Sequence, residues 1–240
     1  MSGVRQWLGS VVFTLYLCVS AAAYAFVLLP TVVMPRRVTY AAARSWSRSV
    51  LFMLRWLCGL DYVVEGLENL PATTSVVLVK HSSAWETVAQ LQIFPSQTWV
   101  LKRELIWIPV FGWVLRNLKP IAIDRKAGRT AVQRVLDQGR QRLAEGVWVV
   151  IFPEGTRVPA GEKRRYGMSG ALLAEAAGVP VVPVAHNAGD YWPRRRWLKR
   201  PGTIRVVIGP VIPTAGIDSR LVTEQAQRWI EDTLATLRAP

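Results

Sequence analysis

Residues Ser75–Thr87 read SVVLVKHSSAWET, a short, mostly apolar run from Ser75 to Lys80 that leads into His81 and then takes up a helical pattern. A run of that length rich in β-branched residues is a buried strand rather than a helix. Six further runs have the same character: Tyr62–Glu65, Thr98–Leu101, Lys119–Ile123, Val147–Phe152, Val181–Ala185 and Thr203–Ile208. Helical patterns lie between them. Arg129–Glu145 places Val132, Val135, Leu136 and Leu143 on one face and Arg134, Gln138 and Arg142 on another, and Ser219–Leu237 repeats the arrangement with Val222, Trp229, Ile230 and Leu237. Strands alternating with helices predict an α/β fold, a central mixed sheet flanked by helices. At 240 residues the chain holds one such domain with a smaller appendage.

The appendage is N-terminal. No charged residue occurs from Gln6 to Pro35, and Val11–Leu29 is apolar and long enough, at roughly 20 residues for a ~30 Å core, to enter a bilayer. Ala21, Ala23 and Ala25 after Arg5 offer a competing signal-peptide reading, but the apolar run continues through Phe26 to Leu29 instead of ending at the small residues. Val38–Leu60 then alternates Arg44, Arg48 and Arg55 with Trp46, Val50, Leu51, Leu54 and Leu57, an amphipathic helix suited to an interface and ended by Gly59. The two segments predict a hydrophobic helical hairpin over residues 1–60 for membrane attachment, with the α/β domain over 61–240. Arg36, Arg37 and the arginines beyond them place that domain on the cytoplasmic side of the inner membrane by the positive-inside rule.

Composition agrees with a membrane partner. Thirty Lys and Arg against sixteen Asp and Glu give a net charge of +14, which favours an anionic partner. Eleven Trp and a positive mean hydropathy point to a phospholipid surface rather than nucleic acid. The segment Trp192–Arg200, WPRRRWLKR, carries both signals, with a plain solvated loop as its alternative. Cys18 and Cys58 lack the spacing of a zinc or redox pair and read as packing residues. The two histidines, His81 and His186, stand too far apart for a histidine-rich metal site. His186, with no nearby carboxylate in sequence except Asp190, reads as structural.

Chemistry concentrates at two strand exits. His81 follows its strand directly, and a helix is expected to begin near Ser82 or Ser83. Positions five apart on an ideal helix diverge by about 140°, so His81 and Glu86 meet only if the histidine sits in the preceding turn and folds back. A carboxylate on one imidazole nitrogen fixes the tautomer and frees the other nitrogen to take a proton from a hydroxyl; a structural pair is the alternative. The second exit is Phe152–Arg157, FPEGTR, where Pro153 and Gly155 force a turn and Arg157 presents a fork suited to phosphate. Alone, it reads as an ordinary strand-to-loop turn with a solvated Arg. Ser169, in GMSGA, lacks the second glycine of a serine-hydrolase elbow.

Together these segments resemble the glycerolipid acyltransferase family, and within it the bacterial 1-acyl-glycerol-3-phosphate acyltransferases. Four blocks occur in the family's order: His81 to Glu86 for H-x-x-x-x-D, Lys102 to Arg125 (KRELIWIPVFGWVLRNLKPIAIDR), Phe152 to Arg157, and Val179 to Val184 (VPVVPV). The resemblance implies that His81 is the general base and Glu86 its orienting partner. It also implies that Lys102, Arg125 and Arg157 hold the acceptor phosphate in a pocket shaped by Glu154, Gly155 and Thr156. The implied reaction moves an acyl group from acyl-CoA or acyl carrier protein to the sn-2 hydroxyl of 1-acyl-glycerol-3-phosphate, with no resident cofactor or metal. Another acceptor, such as glycerol 3-phosphate or a lyso-aminolipid, or a non-catalytic lipid-binding role, are the alternatives. The sequence departs from the family at Glu86, where Asp is usual, lengthening that arm by one methylene.

Overall fold

The protein is described by a computed structural model covering residues 3–124 and 126–237. All seven expected strands form, with ends moved by a few residues at most: β1 Leu60–Glu65, β2 Val76–Val79, β3 Gln97–Lys102, β4 Ile121–Ile123, β5 Trp148–Ile151, β6 Val181–His186 and β7 Gly202–Ile208. The helices are α1 Gly3–Val27, α2 Arg36–Cys58, α3 Trp85–Ile93, α4 Phe111–Asn117, α5 Arg129–Ala144, α6 Ser169–Ala177, α7 Ala188–Tyr191 and α8 Ser219–Leu237.

The strands make one mixed sheet in the order β1-β7-β6-β2-β5-β3-β4, in which only β6 and β7 pair antiparallel. The period of two along each strand divides the core. Val77 and Val79 of β2, Val150 of β5 and Val182 of β6 face one cluster, shared with Phe13 of α1, Val50 and Leu54 of α2 and Trp85 of α3. Val76, Leu78, Val149 and Val181 face the other, against α5, α6 and α8 through Val135, Leu173 and Ile230. With both faces covered, β2 and β5 read as continuous apolar runs and are buried at every position.

The N-terminal hairpin belongs to this core as much as to any membrane. Helices α1 and α2 run antiparallel, joined by a 3₁₀ turn at Leu29–Val33, and are pinned by hydrogen bonds from the Tyr16 hydroxyl to Ser49 Oγ (2.9 Å) and from Trp46 Nε1 to Ser20 Oγ (3.2 Å). Gly59, left-handed at φ 63°, ends α2 as expected. The buried face of α1 carries Ser10, Phe13, Ser20 and Ala25, while Val4, Trp7, Leu8, Val12, Leu15, Val19 and Phe26 are exposed. Cys58 packs in the core, whereas Cys18 lies on the exposed side of α1, contrary to the expectation that both pack.

Candidate active site

Because β6, β2, β5 and β3 are mutually parallel, their C-terminal ends open on one edge of the sheet. That edge collects Lys80 and His81 after β2, the Phe152–Arg157 turn after β5, His186 at the end of β6 and Lys102 at the end of β3. Sites in α/β sheets form at this edge for that reason.

The expected pair is made. His81 Nδ1 lies 2.8 Å from Glu86 Oε1. The helix starts at Trp85, whose N–H donates to Ser83 Oγ at 3.1 Å, while Ser82 N–H and Ser83 N–H donate to Glu86 Oε1 at 3.0 and 2.9 Å and Ser83 N–H also reaches Oε2 at 3.1 Å. Glu86 reaches back from the first turn of α3 to these amides and to His81. Burial pushes the Glu86 carboxyl up, but the His81 bond, the nearby His186 and the Ser83 amide outweigh it and hold the group below the usual carboxylate range. An ionised Glu86 on Nδ1 leaves His81 Nε2 as the proton acceptor. Phe152 stacks on the imidazole, with ring centroids 4.2 Å apart, and fixes its plane.

His186, read as structural, lies under this pair. Its Nε2–H donates to the Lys80 carbonyl at 2.7 Å and stands 3.9 Å from Glu86 Oε2, so the carboxylate near it is Glu86, which sequence distance concealed. Burial holds its pKa below the usual imidazole range, against the opposing pull of Glu86, and Nδ1 accepts Ala188 N–H at 3.3 Å as an unprotonated ring nitrogen does.

His81 opens onto a cavity of about 480 Å³, a size ordinary for a small-molecule site. Its polar lining includes His81, Thr87, Gln90, Lys102, Thr156, Arg157 and Arg194; the rest is supplied mainly by α1, α2, α3, β3 and α4, with Ala25, Leu28, Ala43, Leu91, Leu115 and Leu118 among the apolar residues. Arg157 is half-buried and its Nε has no hydrogen-bond partner, so the guanidinium is available to an anion. Lys102 pairs with Glu104 at 3.0 Å. Gly155, at φ 67°, makes the turn that points Thr156 and Arg157 at the cavity.

Glu154 is placed differently from the pocket-shaping position the resemblance implies. Its carboxylate turns inward, 3.3 Å from Lys80 Nζ, and accepts from the His81 amide at 3.4 Å. Burial, opposed by Lys80, pushes its pKa up to about 7. Lys80 is itself 1 % exposed and donates to Glu231 of α8 at 2.7 Å. Neither Lys80 nor Glu231 was legible as a site residue, since their contact joins positions 151 apart. Arg125, the remaining expected phosphate ligand, lies outside the described residues.

A histidine held by a buried carboxylate, beside a cationic fork and a largely apolar cavity, is suited to group transfer on an amphiphile with an anionic head. The family model for Acyltransferase matches residues 61–187, and the chain belongs to that family. It is 43% identical over 231 residues, 92% of this chain and 89% of the relative, to a 1-acyl-sn-glycerol-3-phosphate acyltransferase of Pseudomonas aeruginosa. It is 27% identical over 194 residues, 80% of this chain and 69% of the relative, to the human 1-acyl-sn-glycerol-3-phosphate acyltransferase alpha. The fold matches the crystal structure of the 1-acyl-sn-glycerophosphate acyltransferase of Thermotoga maritima with a TM-score of 0.81, at 24% identity and covering 100% of this chain and 99% of that one.

Proposed function

We propose that the enzyme acylates the sn-2 hydroxyl of 1-acyl-glycerol-3-phosphate, giving phosphatidic acid, with acyl-CoA or acyl carrier protein as the thioester donor. The observation that carries this reading is the cavity that joins His81 to Arg157 and then to an apolar lining. Arg157, with Lys102 and Thr156, receives the acceptor phosphate, and the apolar part takes a hydrocarbon chain at ~0.8 kcal/mol per buried methylene. His81 Nε2 removes the hydroxyl proton as the oxygen attacks the thioester carbonyl carbon. The C–S bond then breaks, and the thiolate leaves with the proton that the His81 imidazolium returns. No acyl-enzyme forms. The positive charge that His81 gains in between lies against the Glu86 carboxylate.

The membrane supplies this acceptor. Helix α1 is long and apolar enough to cross a bilayer, yet its middle is fastened to the domain: Lys199 N–H donates to Ser10 Oγ at 3.0 Å, Lys199 Nζ binds Thr14, and Phe13 packs edge-on to Trp192 at 5.3 Å. A helix held at mid-length enters one leaflet along its exposed face rather than spanning two. The adjoining loop presents Arg194, Arg195 and Arg196 with Trp197, suited to anionic headgroups on the cytoplasmic face of the inner membrane.

The test is incorporation of labelled acyl groups into phosphatidic acid by detergent-purified protein, with lysophosphatidic acid as acceptor. Wild type should be active, and folded His81→Ala should lose ~100 to 10,000-fold. Wild type inactive with either donor refutes the reading.

A further inference from the structure

Thr156 and Arg157, which face the acceptor beside His81 and Lys102, are carried on one loop, Pro153 to Gly167, and Arg194 Nη1–H donates to the Arg157 carbonyl at 3.0 Å. Gly167 N–H donates to the Pro153 carbonyl at 2.8 Å and closes its neck, and Val158 N–H donates to the His81 carbonyl at 2.8 Å, tying the loop to the base. Two further attachments come from α8. Gln227 accepts from Tyr166 N–H at 3.2 Å through Oε1 and donates to the Arg164 carbonyl at 3.3 Å through Nε2, gripping the returning limb. Glu231, one turn further on, accepts from Lys80 Nζ at 2.7 Å, and the same ammonium holds Glu154 on the outgoing limb. Glu154 Oε2 is buried without a hydrogen-bond partner, so Lys80 and the His81 amide are what anchor this side chain. The Tyr166 ring is buried beside both carboxylates, which with burial push its hydroxyl above the usual phenol range.

We propose that α8 is part of the acceptor site, with Glu231 and Gln227 as positioning residues that hold both limbs of the Pro153–Gly167 loop and so set Thr156 and Arg157 against His81. Helix α8 lies beyond residues 61–187, the span of the family match, so no family motif assigns it this role. The inference deepens the acylation reading above and rests on it. A fully buried Lys shared by two carboxylates has a defined direction only while both remain. When the Glu231 carboxylate is removed, the ammonium is free to follow Glu154, and the turn carrying Arg157 loses its fixed end. Neither Glu231 nor Gln227 lines the cavity, so the effect must travel through the loop.

The experiment uses the full chain, purified and assayed with lysophosphatidic acid and whichever thioester supports wild-type turnover, with thermal melts confirming that each variant is folded at the assay temperature. Glu231→Leu and Gln227→Ala should each raise KM for lysophosphatidic acid about tenfold or more while kcat and the donor KM stay within about threefold. Glu231→Gln keeps an oxygen for Lys80 and should restore the acceptor KM to within about threefold of wild type. An unchanged acceptor KM in folded Gln227→Ala and Glu231→Leu overturns the proposal, as does a loss shared equally by both substrates and kcat. If Glu231→Leu does not fold, Gln227→Ala decides the matter alone. Wild type that leaves lysophosphatidic acid unacylated removes the acylation reading, and this inference falls with it.

Discussion

Replacing Glu86 by Gln tests the catalytic pair at its centre. The side chain keeps its shape, and one oxygen can still accept from His81 Nδ1, but the charge facing the imidazolium is lost. For two unit charges about 4 Å apart, a spacing consistent with the 2.8 Å contact, the interaction is about 4 kcal/mol at an effective dielectric of 20. That charge matters only once His81 has taken the proton, so the loss falls on the transition state and appears as roughly a 1,000-fold drop in kcat. Ser82 N–H, Ser83 N–H and the ring all meet Oε1, so a Gln with its carbonyl there keeps them and loses the second contact of Ser83 N–H, to Oε2, at a stability cost of about 1 kcal/mol. The assay is single-turnover acyl transfer to lysophosphatidic acid at saturating substrates, beside a thermal melt to separate the two effects. Folded Glu86→Gln with kcat within about threefold of wild type would refute the role given to this pair.

Arg157→Ala should raise KM for lysophosphatidic acid by about 10- to 100-fold, the value of one or two charge-assisted hydrogen bonds, with Arg157→Lys intermediate because a point charge lacks the fork; steady-state kinetics with varied acceptor checks this, and equal KM values would exclude Arg157 from the headgroup site. Glu154, raised to about 7 from 4.5, keeps a proton in the folded state between those pH values that the unfolded chain releases, so wild-type stability falls as pH rises through that window, by about 3 kcal/mol. Glu154→Gln lacks this term, so its melting temperature should gain on wild type from pH 5 to pH 8; parallel curves would contradict the assignment. Ala25→Leu adds three carbons to the apolar lining and should lower transfer efficiency for the longest chain accepted by about 2 kcal/mol, roughly 30-fold, while sparing chains two or three carbons shorter; competition between chain lengths measures it, and an unaltered ratio would place the chain elsewhere.

What the sequence disclosed and what it withheld divide by the range of the interactions. Strands buried on both faces announce themselves as continuous apolar runs, which is why β2 and β5 were legible, and the β-branched pattern carried the other five. His81 and Glu86 were legible because a strand exit and a five-residue spacing constrain each other: the pair closes only when the histidine precedes the helix. Helix α3 begins at Trp85, later than Ser82 or Ser83, yet the propensity that points to the serines is expressed, since Ser83 Oγ accepts Trp85 N–H at 3.1 Å and Glu86 accepts Ser83 N–H in return. Glu154, Lys80, His186 and Glu231 lay beyond local reading. A polar residue in a Pro-Gly turn reads as solvent-facing, and nothing near residue 154 in sequence says that an ammonium at position 80 is buried there with a second carboxylate from residue 231. Buried charges are tolerated only when paired, so a lysine closing an apolar strand is a signal that partners exist, though not of where they lie. In this chain the partners tie the base, the turn that bears Arg157 and the last helix into one cluster. The two local motifs carry the residues to which the chemistry is assigned, and the long-range ion pairs fasten both motifs to the last helix.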